Sequence, residues 1–294
     1  MSRRPYSQHG LAVINALVIV LATSIIATAL IERQTRLSTE LITEHDATQA
    51  YWLLSGALDW TTQLLAEDAR GSAITVRNGL WAQVIERLPI SDERSTAYFS
   101  GYLQDEQAKY NLLRLQRQGQ VNPAAVTQLQ GLLQAIQLPP KLASEIALQV
   151  AAMQASSDKK ASQAGARLPS ELTAARSLDP TQQAMLNQYT TLLPEQTGLN
   201  INTASAYVLS AYIEELSLAD ALRIVAARDQ GLWFRQVSDL NALLPTGMQA
   251  TTPRLQVKSQ WFSAHGKLEL NQTQRRFQAL LERGANKTHI RWIL

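Results

Sequence analysis

The sequence contains no cysteine among its 294 residues. Disulfide bonds and thiolate metal sites are therefore excluded, although this says nothing decisive about compartment, because an exported protein need not form disulfides. The four histidines form neither the H-E-x-x-H motif nor another close metal-ligand spacing; they are His9, His45, His265 and His289. The G-x-S-x-G motif of serine hydrolases, the phosphate-binding P-loop and the dinucleotide-binding G-x-G-x-x-G are also absent. With no catalytic constellation in the sequence, we predict that the protein is not an enzyme.

Charged residues are few. They make up 17% of the sequence, and the formal net charge is only +3, with both signs scattered along the chain. This balance gives no strong case for a nucleic-acid partner. Hydrophobic residues make up 46% of the sequence, which is enough for more than one sizeable core in a chain of this length.

Charge is absent from residues 11–31, LAVINALVIVLATSIIATALI. At about 1.5 Å rise per residue, a helix of this length covers roughly the 30 Å hydrocarbon core of a bilayer. A cleaved signal peptide is the alternative, but its apolar part is usually about 7–15 residues long and ends in a small-residue site. This run is longer and continues into Glu32-Arg33. We therefore predict a retained single-pass anchor, and Arg3 and Arg4 before it predict a cytoplasmic N-terminus.

The junction His9-Gly10-Leu11 joins a short basic leader ending in glycine to an apolar run, and it resembles the precursors of type IV pilins and pseudopilins. The resemblance implies that a prepilin peptidase removes residues 1–10 by cutting after Gly10. Leu11 would then become the mature N-terminus, which this family usually methylates. Most members carry Phe at that position, so Leu11 is a mild departure.

Asn15 occupies the fifth mature position, where ordinary pilins have a Glu thought to pair with the N-terminal ammonium of the neighbouring subunit. A carboxylate in lipid is costly unless it is paired. A neutral residue here fits a tip subunit, which has no neighbour above it and needs no such pair. Taken alone, Asn15 is equally compatible with one tolerated polar residue in a membrane helix.

Residues 32–69 are predicted to continue the apolar helix, because leucines and Tyr51 recur at spacings that fit one helical face and no proline interrupts them. The next segment, 71–93, is predicted to be irregular because glycine and proline break it. Residues 95–103 (STAYFSGYL) are aromatic and partly alternating, which predicts a strand.

Two helical stretches follow at 126–136 and 142–153, separated by a pair of prolines. Residues 155–166 are small and polar without an apolar period, which predicts a mobile loop. Asp179 as N-cap and Pro180 in the first turn predict a further helix through residue 193.

Residues 254–294 have strand character and are predicted to form three antiparallel strands, with turns at His265-Gly266 and at 283–286. Packed on the N-terminal helix beside 95–103, these strands would close one sheet.

The segment 198–240 supports two interpretations. Its Asn-x-Asn-Thr-Ala-Ser start, paired helices and late Phe-x-x-Val-x-Asp-Leu resemble helix-hairpin-helix DNA-binding modules, and also the helical domain of K-type pseudopilins. DNA-binding hairpins use glycines in the turn between the helices, so that backbone N–H groups can approach a phosphate. The turn here, Glu214 to Ser217, has no glycine and carries two carboxylates, which would repel a phosphate. We therefore interpret the unit as a scaffold of the same shape without DNA-binding function.

These features together predict an α+β fold. A pilin-like long N-terminal helix packs on a small antiparallel sheet, and a large all-α insertion of the helix-hairpin-helix (SAM-like) type interrupts the sheet. The predicted divisions are a leader at 1–10, a transmembrane helix at 11–31, a pseudopilin core at 32–115 and 254–294, and an inserted helical domain at 116–253.

Nearly the whole chain resembles the K-type minor pseudopilin of the type II secretion system. The resemblance implies a subunit that caps the tip of the pseudopilus, helps to initiate its assembly and so supports export of folded proteins across the outer membrane. The partners that it implies are I- and J-type minor pseudopilins, the major pseudopilin, the inner-membrane assembly platform and the prepilin peptidase. It also implies a single-pass protein of the bacterial inner membrane whose bulk lies in the periplasm and later in the pseudopilus. No cofactor is required, although the family is associated with structural calcium, whose ligands the sequence does not assign.

Two other functions stay open. A membrane-anchored DNA-binding minor pilin of a competence or type IV pilus system would share the N-terminus and use the hairpin-like module. A membrane-tethered hydrolase is less favoured, because no nucleophile and base stand out in the sequence.

Overall fold

A computed structural model of the protein describes residues 9–91, 96–157, 166–249, 254–271, 273–284 and 287–294. Most of the predicted leader, including Arg3 and Arg4, lies outside the described residues. The same holds for the greater part of the loop predicted at 155–166.

The α-helices of the described chain are α1 (His9–Gly71), α2 (Pro123–Ala135), α3 (Leu142–Ser157), α4 (Pro180–Tyr189), α5 (Ala206–Tyr212) and α6 (Leu218–Asp229). Short 3-10 helices occupy Leu80–Ala82, Glu106–Ala108, Leu112–Leu115, Pro169–Glu171, Thr173–Ser177 and Val237–Ala242. α1 is one continuous helix of 63 residues, so the predicted continuation of the apolar segment through 32–69 is confirmed.

The start of α4 is the capped terminus that the sequence predicts. The Asp179 carboxylate accepts a hydrogen bond from the Gln182 backbone N–H at 2.9 Å, and Pro180 takes the first helical position. The helix ends at Tyr189 rather than at residue 193, because the next two residues pair as a short strand.

The strands are β1 (Ile85–Ser91), β2 (Thr96–Asp105), β3 (Tyr110–Asn111), β4 (Gln116–Arg117), β5 (Gln120–Val121), β6 (Thr190–Thr191), β7 (Leu199–Asn200), β8 (Leu255–Gln256), β9 (Trp261–Leu270), β10 (Thr273–Arg283) and β11 (Thr288–Ile293). The five long strands form one antiparallel sheet in the order β1-β2-β9-β10-β11. The short strands pair two by two, β3 with β6, β4 with β5 and β7 with β8. The strand predicted at 95–103 therefore adjoins the strands of the C-terminal tail, as expected.

The prediction that residues 71–93 are irregular is wrong for its last part, because β1 forms an edge of the sheet there. None of its seven residues is buried. It contains Pro89 and is bulged between Ile85 and Leu88, with Arg87 at φ 47°. Ile85 and Ile90 are partly buried against the core, and the other residues of the strand are exposed. An edge strand of this kind needs neither full alternation nor a full set of N–H donors. The sequence therefore carried little strand signal at this edge.

The predicted turn at His265-Gly266 is also wrong, because both residues lie inside β9. Gly266 is opposite Gly101 of β2 and Phe277 of β10. A Cβ atom on Gly266 would overlap the ring of Phe277. Glycine is needed here because an aromatic ring covers its backbone, which is a different use of glycine from a turn.

The chain reverses instead after β9, where Asn271 has φ 52°, a left-handed conformation that asparagine tolerates. The second predicted turn, 283–286, begins at the last residue of β10, and its residues 285–286 lie outside the described part of the chain.

The second half of α1 packs on one face of the sheet. Ala50, Leu58 and Leu65 of the helix are buried against that face. Alternate residues of the central strands supply the other side of this core: Ala97, Phe99, Phe262, Ala264, Leu268, Leu270, Ala279 and Leu281. This contact fixes the long helix on the sheet.

The largest hydrophobic core of the described residues lies among the helices. It begins with Tyr110, Leu112 and Leu115, and it includes Leu255. Parallel pairing joins the start of this segment, β3, to β6 and its end, β8, to β7. The helical region, residues 110–256, therefore extends a few residues beyond the predicted bounds 116–253 at each end.

Candidate functional site

The N-terminal part of α1 presents an apolar surface that no described residue covers. From Val13 to Ile31 the large apolar side chains are 58–66% exposed, and α1 has the length and composition to cross a membrane. Gly10 and Leu11 lie at the start of this helix, and Asn15 is exposed within its apolar segment. An apolar helix that its own protein leaves uncovered fits a transmembrane anchor.

A buried ion pair joins the far end of α1 to the sheet. The Arg283 Nη1 atom lies 2.5 Å from the Asp68 Oδ2 atom, and the two side chains are only 2% and 6% exposed. Nη2 of Arg283 donates to Thr75 Oγ1 at 2.6 Å and to the Ser259 carbonyl at 2.5 Å. Buried charges are tolerated when hydrogen bonds satisfy them in this way. The pair therefore fixes the helix, the loop after it and the sheet relative to one another.

Asp105, the last residue of β2, joins this junction to the helical region. Its Oδ2 atom accepts hydrogen bonds from Thr203 Oγ1 at 2.6 Å, Ser259 Oγ at 2.6 Å and Asn200 Nδ2 at 3.0 Å. Burial raises the pKa of Asp105, and these hydrogen bonds oppose that rise without cancelling it. One carboxyl group thus holds together three segments that are far apart in the sequence.

Glu106, the next residue, is buried beside Lys109, with Lys109 Nζ 2.8 Å from Glu106 Oε1. Burial alone would raise the pKa of Glu106. The positive charge and hydrogen bond of Lys109, helped by the hydroxyls of Ser263 and Thr191, outweigh burial, and the pKa is lowered. The pair lies where the sheet meets the helical region, and it is held as an ion pair.

Ser263, His265 and Glu106 form a group of residue types that hydrolases also use. The Ser263 hydroxyl donates to Glu106 Oε1 at 2.6 Å, and its oxygen lies 3.0 Å from His265 Nε2. Because the one hydroxyl proton points to the carboxylate, the imidazole is not placed to remove it. Ser263 is also only 1% exposed. This arrangement holds β9 against the turn after β2 and does not supply a nucleophile with its base.

The Asn-x-Asn-Thr-Ala-Ser motif has structural contacts throughout. Asn200 donates to Asp105, and Thr203 does the same. Asn202 donates to the Phe234 carbonyl at 2.8 Å and accepts from the Phe234 N–H at 2.9 Å, so its amide fixes the chain after α6. Ser205 caps α5. These contacts explain the residue types of the motif by their structural roles, and no ligand is needed to account for them.

The hairpin between α5 and α6 carries glutamates in its turn, where DNA-binding hairpins carry glycines. Glu215 takes φ 63°, a left-handed conformation that favours glycine. Glu214 and Glu215 are both exposed. Phe234, just after the helix pair, is 3% exposed and belongs to the core, whereas Trp233 is half-buried. The turn therefore presents two carboxylates where a DNA-binding hairpin presents backbone N–H groups.

Adjacent carboxylates occur in the described residues at Glu67-Asp68, Asp105-Glu106 and Glu214-Glu215, and they do not form a calcium site there. Asp68 is paired with an arginine, and Asp105 and Glu106 are occupied by protein donors. Glu214 and Glu215 lie in the exposed turn. Within the described ranges no group of three or more His, Cys, Asp or Glu side chains is placed to hold a metal ion, whereas calcium needs about six to eight oxygens. These residues do not fit the ion, and calcium stays an expectation of the resemblance.

Comparison with known proteins gives concordant results. Two models of one family, both described as "Type II secretion system (T2SS), protein K", match residues 108–195 and 199–258, together just over half of the chain. A curated relative, Type II secretion system protein K of Klebsiella pneumoniae, is 26% identical over 308 aligned positions, covering 95% of this chain and 93% of that protein. A chain in the crystal structure of the GspK-GspI-GspJ complex from the enterotoxigenic Escherichia coli Type 2 Secretion System has a similar fold. Its TM-score is 0.61 at 18% identity, covering 86% of this chain and 97% of that one.

The matched residues are those of the helical region, where the scaffold motif, the hairpin and the largest core lie. The fold match adds the long helix and the antiparallel sheet. The chain therefore belongs to the type II secretion system protein K family and is a minor pseudopilin of that system.

Proposed function

We propose that this protein caps the tip of the type II secretion pseudopilus and helps to initiate its assembly, so that folded proteins are exported across the outer membrane. One observation carries the proposal: a single helix of 63 residues has an uncovered apolar first half and a second half packed on the sheet. Its apolar half can pack against the helices of other subunits in a fibre. The rest of the chain, which consists of the second half of α1, the sheet and the helical region, would then form a head outside the bundle of helices. The role is structural and non-enzymatic, and it requires no cofactor.

The width of the head supports the proposed position at the tip. The helical region adds a separate hydrophobic core that is larger than those under α1. A subunit widened in this way would clash with itself if it were stacked repeatedly along a thin fibre. Single-particle images of fibres that carry a label on this protein are expected to show the label at one end. An even distribution along the fibre would contradict the proposal.

Processing and topology are part of the same proposal. Prepilin peptidase cuts after Gly10, Leu11 becomes the methylated N-terminus, and the head lies in the periplasm while the N-terminus starts in the cytoplasm. Asn15 then stands where no subunit above supplies an ammonium partner. Mass spectrometry of the mature N-terminus, in cells with and without the peptidase, tests the cleavage directly. Intact residues 1–10 in both strains would contradict it.

The partners that we propose are I- and J-type minor pseudopilins, with the major pseudopilin and the inner-membrane assembly platform. The similar solved structure is that of a GspK-GspI-GspJ complex, which supports the first two. Co-purification of the full chain with both minor pseudopilins from membranes is expected to give a stable ternary complex. Failure of either partner to co-purify would refute this part.

Nucleic acid is not among the proposed partners, because the hairpin turn exposes two carboxylates and phosphate contacts dominate DNA binding. If the protein were instead a DNA receptor, the full chain would bind duplex DNA, and the binding would weaken as the salt concentration rises. Such binding would favour that alternative.

A further inference from the structure

The second half of α1 carries exposed aromatic side chains well beyond the apolar segment. Trp52 and Trp60 are 66% and 52% exposed. Tyr51, which meets the Trp52 ring edge to face, is 66% exposed. Large aromatic side chains in water forgo the favourable burial that they would gain in a contact. Tryptophans exposed together on one element therefore indicate a binding surface.

Gly56 lies between the two tryptophans. Trp52, Gly56 and Trp60 follow one another at intervals of four, so they form one stripe along the helix, opposite to the face that packs on the sheet. Gly56 is exposed, and a Cβ atom added to it would have no neighbour within 4 Å. Glycine weakens the interior of a helix relative to alanine, and no neighbour within the described residues requires it here. It leaves a notch between two indole rings, where another helix can approach closely.

Lipid headgroups are too far away to cover this aromatic stripe. Tyr51 comes about 20 positions after Ile31, the end of the apolar run, which corresponds to about 30 Å of helix. The headgroup layer on each side of the hydrocarbon core is only about 5–8 Å thick. Aromatic residues that lie in that layer follow the apolar run directly. The stripe therefore faces a protein partner.

Charge indicates what that partner carries. From residue 37 to residue 69, α1 contains no Lys or Arg. Its exposed carboxylates on this stretch include Glu44, Asp59 and Glu67, and Asp59 lies on the face of the stripe, one turn after Gly56. Because interfaces place opposite charges against each other, a helix that packs here carries Lys or Arg beside its apolar side chains.

We propose that the aromatic stripe is the docking surface for an amphipathic α-helix of a neighbouring minor pseudopilin. That helix places an apolar side chain in the notch at Gly56 and a basic side chain beside Asp59. Exposed apolar side chains at Leu37 and Leu41 connect the stripe with the apolar half of α1, so a helix that packs along that half also reaches the stripe. The inference rests on the proposed function, because it requires a bundle of pseudopilin helices.

The test measures binding of the full chain, in detergent micelles, to purified I- and J-type minor pseudopilins. The variant Gly56→Phe fills the notch. Its matched control is Gly131→Phe, because Gly131 is also an exposed helical glycine with no neighbour within 4 Å of an added Cβ. Gly56→Phe should weaken the apparent affinity at least about tenfold, as expected for a contact at the centre of an interface, and Gly131→Phe should leave it unchanged. Equal thermal unfolding midpoints would show that both variants fold.

Removal of one ring gives a second measurement that adds no bulk. Trp60→Ala should also weaken the apparent affinity at least about tenfold. Leu148→Ala is its control, because Leu148 is 65% exposed on α3 and lies far from the stripe in the sequence, and it should leave the affinity unchanged.

A photo-crosslinking residue identifies what covers the stripe. The substitution Trp52→p-benzoylphenylalanine, illuminated in membranes that contain the assembled system, should join the protein to a helix of a neighbouring minor pseudopilin. Crosslinks to lipid alone would overturn the proposal, because the stripe would then lie against the membrane.

The binding measurements separate this proposal from the proposed function. If the wild-type chain formed no complex with either partner, the proposed function would fail and the docking surface with it. A complex that Gly56→Phe and Gly131→Phe form equally well would overturn the docking surface alone, since the partners would then bind elsewhere on the protein.

Discussion

Substitution of Arg283 should lower the free energy of unfolding of the head by more than substitution of any exposed charged residue. The variant Arg283→Met keeps much of the side-chain volume but removes the charge that faces Asp68. Both side chains are nearly inaccessible, at 2% and 6% exposure. The substitution leaves the Asp68 carboxylate buried without its partner, and it leaves the Thr75 hydroxyl and the Ser259 carbonyl without the guanidinium that donates to them.

The expected loss follows from this geometry. Breaking a buried ion pair by removing one member typically costs about 3–5 kcal/mol, because an uncompensated charge stays in a low-dielectric environment. A typical domain has about 5–15 kcal/mol of total stability. We therefore expect a loss of about 4 kcal/mol, which is a large part of the stability of the head.

Urea unfolding of the full chain in detergent, followed by tryptophan fluorescence, measures this loss. Trp81 and Trp261 are 5% and 1% exposed, so unfolding of the sheet will change their emission. The midpoint should fall while the denaturant slope stays constant. The matched control is Arg223→Met, because Arg223 pairs with Asp220 with 67% of its side chain exposed and exposed pairs contribute little.

A double substitution completes the test. Because Asp68→Asn removes the orphaned charge, Arg283→Met combined with Asp68→Asn should be less destabilised than the sum of the two single variants. A loss below about 1 kcal/mol in Arg283→Met, or full additivity in the double variant, would refute the view that this pair holds the helix on the sheet.

Three further predictions concern backbone conformation, packing and pH. Glu215→Gly should raise the free energy of unfolding by about 0.5–1 kcal/mol, because glycine adopts the left-handed conformation of this position without strain. Glu214→Gly in the same turn should not raise it. Thermal unfolding of the two variants and the wild type measures the difference. Gly266→Ala should lower the free energy of unfolding by about 1–3 kcal/mol, because its Cβ would overlap the ring of Phe277. Gly56→Ala is the control: no atom lies near its added Cβ, so the free energy of unfolding should be unchanged or raised. The lowered pKa of Glu106 contributes stability above the pKa of the unfolded chain, and that stability is lost as the pH falls through the folded pKa. Urea titrations should therefore show Glu106→Gln destabilised at neutral pH, with the difference from wild type shrinking in acid; a constant difference would contradict the ion pair.

Features set by local sequence were predictable. The apolar run and the leucine spacing gave one long helix, and Asp179 with Pro180 gave the start of α4. Each rests on interactions within a few residues along the chain, which a sequence pattern reports directly.

Features set by the partner strand were not predictable in the same way. Gly266 suggested a turn, because glycine often marks one, yet β9 runs straight through it and the ring of Phe277 covers it. β1 carried little alternation because it lies at an edge, where Ile85 and Ile90 are partly buried and its other residues are exposed. In both cases the position in the sheet decided the structure, and no local pattern reports that position.

The polar junction shows the same limit more strongly. Arg283 stands at the start of a predicted turn, and no motif singles out Asp68, yet the two residues form a buried ion pair across 215 positions of sequence. Only packing brings such groups together and removes the water around them, and that desolvation turns common charged residues into a buried junction.

Periodicity and short motifs record local structure, and they were enough to predict the apolar segment, the continuous N-terminal helix, the α+β class and the resemblance to a minor pseudopilin. Which charges are buried, which of them have partners and which strands lie at the edges became known only from the folded chain. Those properties depend on contacts between residues that are distant along the sequence, and no local pattern reports such contacts.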